Sequence, residues 1–109
     1  MVNEILTGAG FIENQTYRET RFRTPPTITY AIYNDTRENR GPDNLNLIVD
    51  HDINIEVYEY TPDPEAEARI EAEFDSRGIE YIKQPRYWIQ EEQLYQIIYE
   101  FSYIEKKGA

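Results

Sequence analysis

The chain holds one histidine, and it stands between two aspartates in Asp50-His51-Asp52. A histidine among carboxylates is the arrangement of a general base with an orienting partner, or of a metal site. On an extended backbone, however, Asp50 and Asp52 share one face and His51 points to the other, so the three side chains do not converge on one ion. The segment therefore reads as a surface polar break. A hydrolytic triad would need Ser76 or Ser102, and neither serine has the flanking glycines of a strand-turn-helix elbow. Carboxylate pairs such as Glu91-Glu92, or Glu71 with Glu73, are unavoidable where 21 of 109 residues are acidic, and they read as a solvated acidic face. Gly8-Ala9-Gly10 follows no strand and lacks the third glycine of a phosphate-binding loop. The absence of cysteine excludes thiol catalysis, disulfides and zinc–thiolate sites. The expectation is a non-enzymatic chain with no catalytic residue, metal or cofactor.

Other residues point to contacts rather than chemistry. Arg18, Arg21 and Arg23 cluster in sequence and read mainly as partners for the surrounding acids. Residues 34–44 are rich in Asn, Asp, Gly and Pro and read as a long surface loop of the kind that often carries partner contacts. Arg37, Arg40 and Asp43 in that loop are candidate interface residues. Tyr58 and Tyr60, on the outward side of the strand that follows, join them. Trp88, between Tyr87 and Ile89, reads as a core anchor.

These residues must be positioned by a fold, and hydrophobic periodicity outlines one. Residues 2–6 form a short helix, with Asn3 as a possible cap and Gly8 or Gly10 as the stop. Phe11 and Ile12 fold that helix onto a sheet, and Tyr17 to Phe22 can form a short extended piece. Pro25-Pro26 precedes a strand at 27–33. Further strands follow at 45–49 and 53–60, with Ile53, Ile55 and Val57 facing one way. Asp63 caps a helix over 64–77, Pro64 sits at its first position, and Gly78 ends it. Ala66, Ile70 and Phe74 make a narrow apolar stripe on that helix, which suits covering one face of a sheet. Strands at 79–82 and 93–104 complete the chain. In the last, Tyr95, Ile97, Tyr99, Phe101 and Tyr103 share a face, and residues 105–109 read as a frayed tail. The sum is one α+β domain over 1–109. It has two layers, with helices on one face of a mainly antiparallel sheet in the order α-β-β-β-α-β-β, and a reverse face that is tyrosine-rich and half polar.

Composition sets the outer limits. Only 25 of 109 residues are Leu, Ile, Val or Phe, and ten tyrosines supplement this thin aliphatic core. A net charge of −10 disfavours nucleic acid or an anionic membrane as a direct partner, because both require a basic surface. The first ten residues lack the basic and apolar regions of a secretory signal, and no run approaches the ~20 apolar residues of a membrane span. The default expectation is a cytoplasmic, soluble protein.

A set of segments resembles one family. They are Thr24-Pro25-Pro26-Thr27-Ile28-Thr29-Tyr30, then Gly41-Pro42-Asp43-Asn44-Leu45, then Asn54-Ile55-Glu56-Val57-Tyr58-Glu59-Tyr60. Asp63-Pro64-Glu65 follows at a helix start, and Leu94-Tyr95-Gln96-Ile97-Ile98-Tyr99-Glu100-Phe101 at the end. Together, over about residues 1–104, they resemble the tail-completion (tail terminator, head–tail joining) proteins of siphophages and prophages of Gram-positive bacteria. The resemblance implies self-association into a ring, typically a hexamer, that caps the tail tube. The tail tube protein and a head completion or connector protein would be its partners. It also implies a place at the tail–head junction of the virion, reached from the host cytoplasm, with DNA passing through unbound. It transfers no active-site residues. The alternative from composition is a small acidic adaptor that captures a basic protein.

Overall fold

The computed structural model describes residues 1–40 and 48–107. Helix α1 (Val2–Gly8) buries Val2, Ile5 and Leu6. Met1, not Asn3, occupies its N-cap position; Asn3 lies inside the helix, where its Oδ1 accepts the Tyr17 hydroxyl at 3.3 Å. Helix α2 (Pro64–Ser76) follows the expected pattern. The Asp63 Oδ1 accepts the Ala66 amide at 3.1 Å, Pro64 starts the helix, and Ala66, Ile70 and Phe74 are fully buried. The two helices lie side by side, and Arg69 Nε donates to the Ala9 carbonyl at 2.8 Å. A side chain at Gly8 would meet the Glu73 carboxylate, which would have to swing aside.

The strands are β1 (Tyr17–Glu19), β2 (Tyr30–Arg40), β3 (Ile48–Glu59), β4 (Ile82–Lys83), β5 (Tyr87–Ile89) and β6 (Leu94–Lys106). They form one sheet in the order β1-β2-β3-β6-β4, with β5 also on β6. Every pairing is antiparallel except β1 with β2. β4 and β5 lie end to end along β6, and the Gln84 amide between them bonds the Ile98 carbonyl at 2.8 Å. Counted as one interrupted strand, they give the expected order α-β-β-β-α-β-β in an α+β fold.

The strand boundaries differ from expectation. Residues 34–40 are strand rather than loop, paired from Asn34↔Asn54 to Arg40↔Ile48. A ladder requires only backbone partners, and a strand at a sheet edge can carry polar side chains on its wet sides. Residues 41–44 of the expected loop lie outside the described residues. The expected strands at 45–49 and 53–60 are one strand from Ile48 onward, and Asp50-His51-Asp52 runs straight through it; residues 45–47 lie outside the described part. Tyr17–Glu19 is a true strand, while Thr27 to Thr29 precede β2 rather than belonging to it. Glu105 and Lys106 continue β6 instead of fraying, and Gly108 and Ala109 are outside the described residues.

Both helices cover one face of the sheet. The core joins Val2, Ile5, Leu6, Ile70 and Phe74 to Ile53, Ile55, Val57, Ile97, Tyr99 and Phe101. Phe11 is buried with them, whereas Ile12 is 54% exposed. The long strands have 11, 12 and 13 residues, and at about 3.4 Å per residue they outrun the helices, which rise about 1.5 Å per residue. The molecule is therefore elongated, 50 × 29 × 24 Å. It has a helix-covered half and an arm formed by the far ends of β2, β3 and β6. Among the described residues no helix is long and apolar enough to cross a membrane.

Candidate functional site

The arm brings together side chains that sequence keeps far apart. Arg37, His51 and Tyr103 stand in one cross-strand row, on the same face as the helices. His51 is 3% exposed, so it is not a surface break. Its ring stacks on Tyr103 with centroids 4.3 Å apart and planes within 3°. Nδ1 lies 2.9 Å from Asp35 Oδ1, and Nε2 lies 2.9 Å from Glu105 Oε1. A neutral imidazole has one donor and one acceptor, whereas a carboxylate only accepts. Two flanking carboxylates therefore call for the doubly protonated ring. Burial opposes that charge, but the hydrogen bonds to Glu105 and Asp35 outweigh it and raise the His51 pKa above its ordinary value. The same bond holds Glu105 below the usual carboxylate range.

Backbone direction distinguishes the two sides of the arm. The Ala31 amide donates to Thr16 and the Tyr33 carbonyl accepts from Thr20, so odd residues of β2 turn their main-chain groups outward. Past β1 these residues are Asp35, Arg37 and Asn39. On the other side the Ile98 carbonyl accepts from Gln84, so even residues of β6 face outward. Past Glu100 these are Ser102, Ile104 and Lys106. Among the described residues no strand pairs with either stretch. A groove of about 540 Å³ runs beside the β6 edge, lined by Tyr81, Ile82, Phe101 and Tyr103 among others.

The face away from the helices is polar and acidic along the arm, while its other end carries Tyr30 stacked on Tyr58, with Ile32 and Ile98 beside them. Strand pairing places Glu38, Asp50, Asp52, Glu56 and Glu100 on it, with Asn34, Thr36, Asn54 and Ser102 between them. Arg40 and Lys106 are cations at its far end, and Arg40 grips Asp50 at 2.6 and 3.2 Å. A shallow groove of about 380 Å³ crosses it over Thr36, Asp52, Asn54, Glu100 and Ser102. The tyrosines of β6 point the other way, into the core or along its margin.

A second polar cluster lies under α2. Glu59 is fully buried; its Oε1 accepts the Asp63 amide at 3.1 Å, and its Oε2 finds no donor among the described residues. Burial, and then the hydrogen bond to Glu67, push the Glu59 pKa up to about 7. A protonated Oε2 becomes a donor to Glu67, which resolves the orphaned atom. Glu67 also takes Lys83 at 2.8 Å and Arg86 at 2.7 Å. Burial raises its pKa, but bonds from Glu59, Lys83 and Arg86 together hold it below the ordinary value. Glu71 accepts Lys83 and the Tyr99 hydroxyl, both at 2.7 Å. This network fastens β4 and the β4–β5 connection to the helix.

The expected interface residues do not form one patch. Arg37 is exposed beside Asp35 at 3.1 Å, and Arg40 is held by Asp50. Asp43 lies outside the described residues. Tyr58 and Tyr60 are at the opposite end of β3 and are engaged within the chain. Tyr58 stacks on Tyr30 at 5.0 Å, and the Tyr60 hydroxyl donates to the Pro26 carbonyl at 2.7 Å. Trp88 is 38% exposed against Tyr95 rather than a core anchor, because β5 sits at the sheet margin. Arg18, Arg21 and Arg23 are exposed and make no ion pair among the described residues, so they do not serve the acids as expected. The signal for His51 and Glu59 was present in the alternation Ile53, Ile55, Val57. One step further each way places both on the buried face. The sequence matches no protein-family model and no curated protein.

Proposed function

We propose that this chain is a non-enzymatic virion assembly protein. It assembles as a ring, typically of six copies, that caps the phage tail tube and joins it to the head connector. The observation that carries this reading is the acidic open face of the sheet, set between two unpaired strand edges. Helices on one side and carboxylates on the other give a protomer an outside and an inside. An inward face of Glu38, Asp50, Asp52, Glu56 and Glu100 would repel phosphate, so DNA would slide past it rather than bind. The tail tube protein and the head connector would dock on the two rims. The protein would then be found at the tail–head junction, after assembly in the host cytoplasm. The family resemblance of its segments supports the same reading. The two buried ionisable clusters are spent on internal partners, which suits a structural role.

Electron microscopy of phage particles made without this protein tests the reading. Overlong tails, or tails unjoined to filled heads, are expected; normal virions would refute it. The same acidic face favours a second reading, a small adaptor that captures a basic protein. Salt-sensitive 1:1 binding to such a protein, with no ring on a tail template, would select that alternative.

A further inference from the structure

We infer that copies of this chain associate side by side, the arginines at the β1 margin of one seating on the aromatic β4–β5 margin of the next. This inference rests on the ring reading above and specifies its interface. Charge, exposure and height along the strands carry it. In the covered half, β1 and the β4–β5 segment are the outermost strands of the sheet. At the β1 margin, Arg18, Arg21 and Arg23 are exposed and have no acidic partner among the described residues. Arg18 pairs with Ile32, so its side chain is on the open face, whereas Glu19 turns to the helix face with Tyr33. Phe22, between the other two arginines, stands edge-on to Tyr30 on the open face. At the opposite margin both cations are already engaged. Lys83 holds Glu67 and Glu71, and Arg86 holds Glu67 and Glu59. What stays exposed there is Ile82 at 61%, Tyr87 at 64% and Trp88 at 38%, with Glu80 and Glu91 in the same stretch of chain. Aromatic rings beside acids suit arginine, whose guanidinium plane stacks on a ring while its donors bond a carboxylate. Tyr, Trp and Arg are also the residues enriched at the centres of protein interfaces.

Strand register fixes the height of each group. Arg18 lies in the cross-strand row of Glu56 and Ile98, Tyr87 in the row of Gln96, and Ile82 in the row of Glu100. These are three successive rows of the open face, so Arg18 at one margin stands between the heights of Tyr87 and Ile82 at the other. Rotating a second copy about an axis along the strands therefore brings its Arg18 between Tyr87 and Ile82 of the first. All helices stay on one side and the acidic face is continuous. Side chains make the contact, so β1 and β4 keep their places and the arms of neighbouring copies stay apart. A contact between two different margins is head to tail, and it closes into a ring where the rotation permits.

Photo-cross-linking reads this contact directly. Arg21 is replaced by p-benzoylphenylalanine, which leaves Arg18 and Arg23 in place. The labelled chain is irradiated as purified protein and in assembled particles, after circular dichroism confirms its fold. A ladder of dimers, trimers and larger species in either setting is expected, with mass spectrometry placing the link in residues 80–91 of another copy. Adding Arg18→Glu/Arg23→Glu to the labelled chain should remove the ladder; an unchanged ladder overturns the role of the arginines. No product in both settings overturns the contact. So do dimers alone, linked between the β1 margins of two copies, which would signal a two-fold contact. A link to the tail tube protein in place of a second copy overturns it as well. A ladder together with normal virions from particles lacking the protein leaves the contact standing and removes the tail reading. Defective tails with no ladder do the reverse.

Discussion

Glu59 and His51 stand on the same face of β3, eight residues apart, and each is a buried ionisable group among carboxylates. They differ in what lies around them. Glu59 sits under α2, where Lys83 and Arg86 reach in from the sheet margin to neutralise Glu67. His51 lies in the arm, where its partners come from the flanking strands: Asp35 and Arg37 on β2, Tyr103 and Glu105 on β6. In the covered half, long cations balance the carboxylates and one proton is shared between two acids. In the arm, Arg37 meets Asp35 from the solvent side, and the buried histidine bridges Asp35 and Glu105 as the second cation. The covering element decides which chemistry neutralises a buried carboxylate, and each solution ties stability to protons in its own range of pH.

The largest expected effect tests whether the two regions fold as one. Phe74 packs on Tyr81, Tyr99 and Phe101 at the centre of the covered half. Phe74→Ala should cost about 3–5 kcal/mol in urea denaturation. Hydrogen exchange should show the arm losing protection along with the helices. An arm that keeps its protection would mean two separate folding units.

The next effect separates the two clusters by pH. Glu59 has its folded pKa raised from 4.5 to about 7. Its contribution is fully present below 4.5 and is lost as pH rises through about 7. The span of that loss is on the order of 3 kcal/mol. His51 is raised above 6.5, so its contribution is full below 6.5 and is lost as pH climbs through its higher folded value. Glu59→Gln keeps a donor toward Glu67 without titrating, and it should flatten the stability curve between pH 4.5 and 7. His51→Gln should cost about 2 kcal/mol at pH 6 and should flatten the curve only above 6.5. Identical curves for the two variants would erase the distinction between the regions.

A smaller effect belongs to the covered half alone. Asp63 caps α2 through Oδ1 and accepts Thr29 Oγ1 through Oδ2 at 2.7 Å. Asp63→Ala should destabilise by about 1 kcal/mol in thermal melts, with arm exchange faster by no more than that global loss. The smallest belongs to the arm: Arg40→Ala removes an exposed ion pair and should leave stability unchanged within error in the same melts.

The helix over Pro64–Ser76 was legible because its determinants are local: a cap, a first-turn proline, a stripe of three apolar residues and a terminal glycine. The faces of β3 and β6 were legible because alternation needs no partner. The strand over residues 34–40 was hidden, since its register is imposed by β3 and its own residues favour turns. The environment of His51 was not legible, because its sequence neighbours are Asp50 and Asp52 whereas its partners, Asp35 and Glu105, lie 16 and 54 residues away.

From the sequence alone come the α+β class, the order of elements, the inward rows Ile53-Ile55-Val57 and Tyr95-Ile97-Tyr99-Phe101-Tyr103, and the acidity. All of these depend on composition or on periods of two and 3.6 residues. The tertiary structure alone decided that the strands outrun the helices, that carboxylates fill the open face along the arm while Tyr30 and Tyr58 take its other end, and which backbone groups face outward at the two edges. Those outcomes depend on pairing between distant strands, and one residue of register exchanges the two faces.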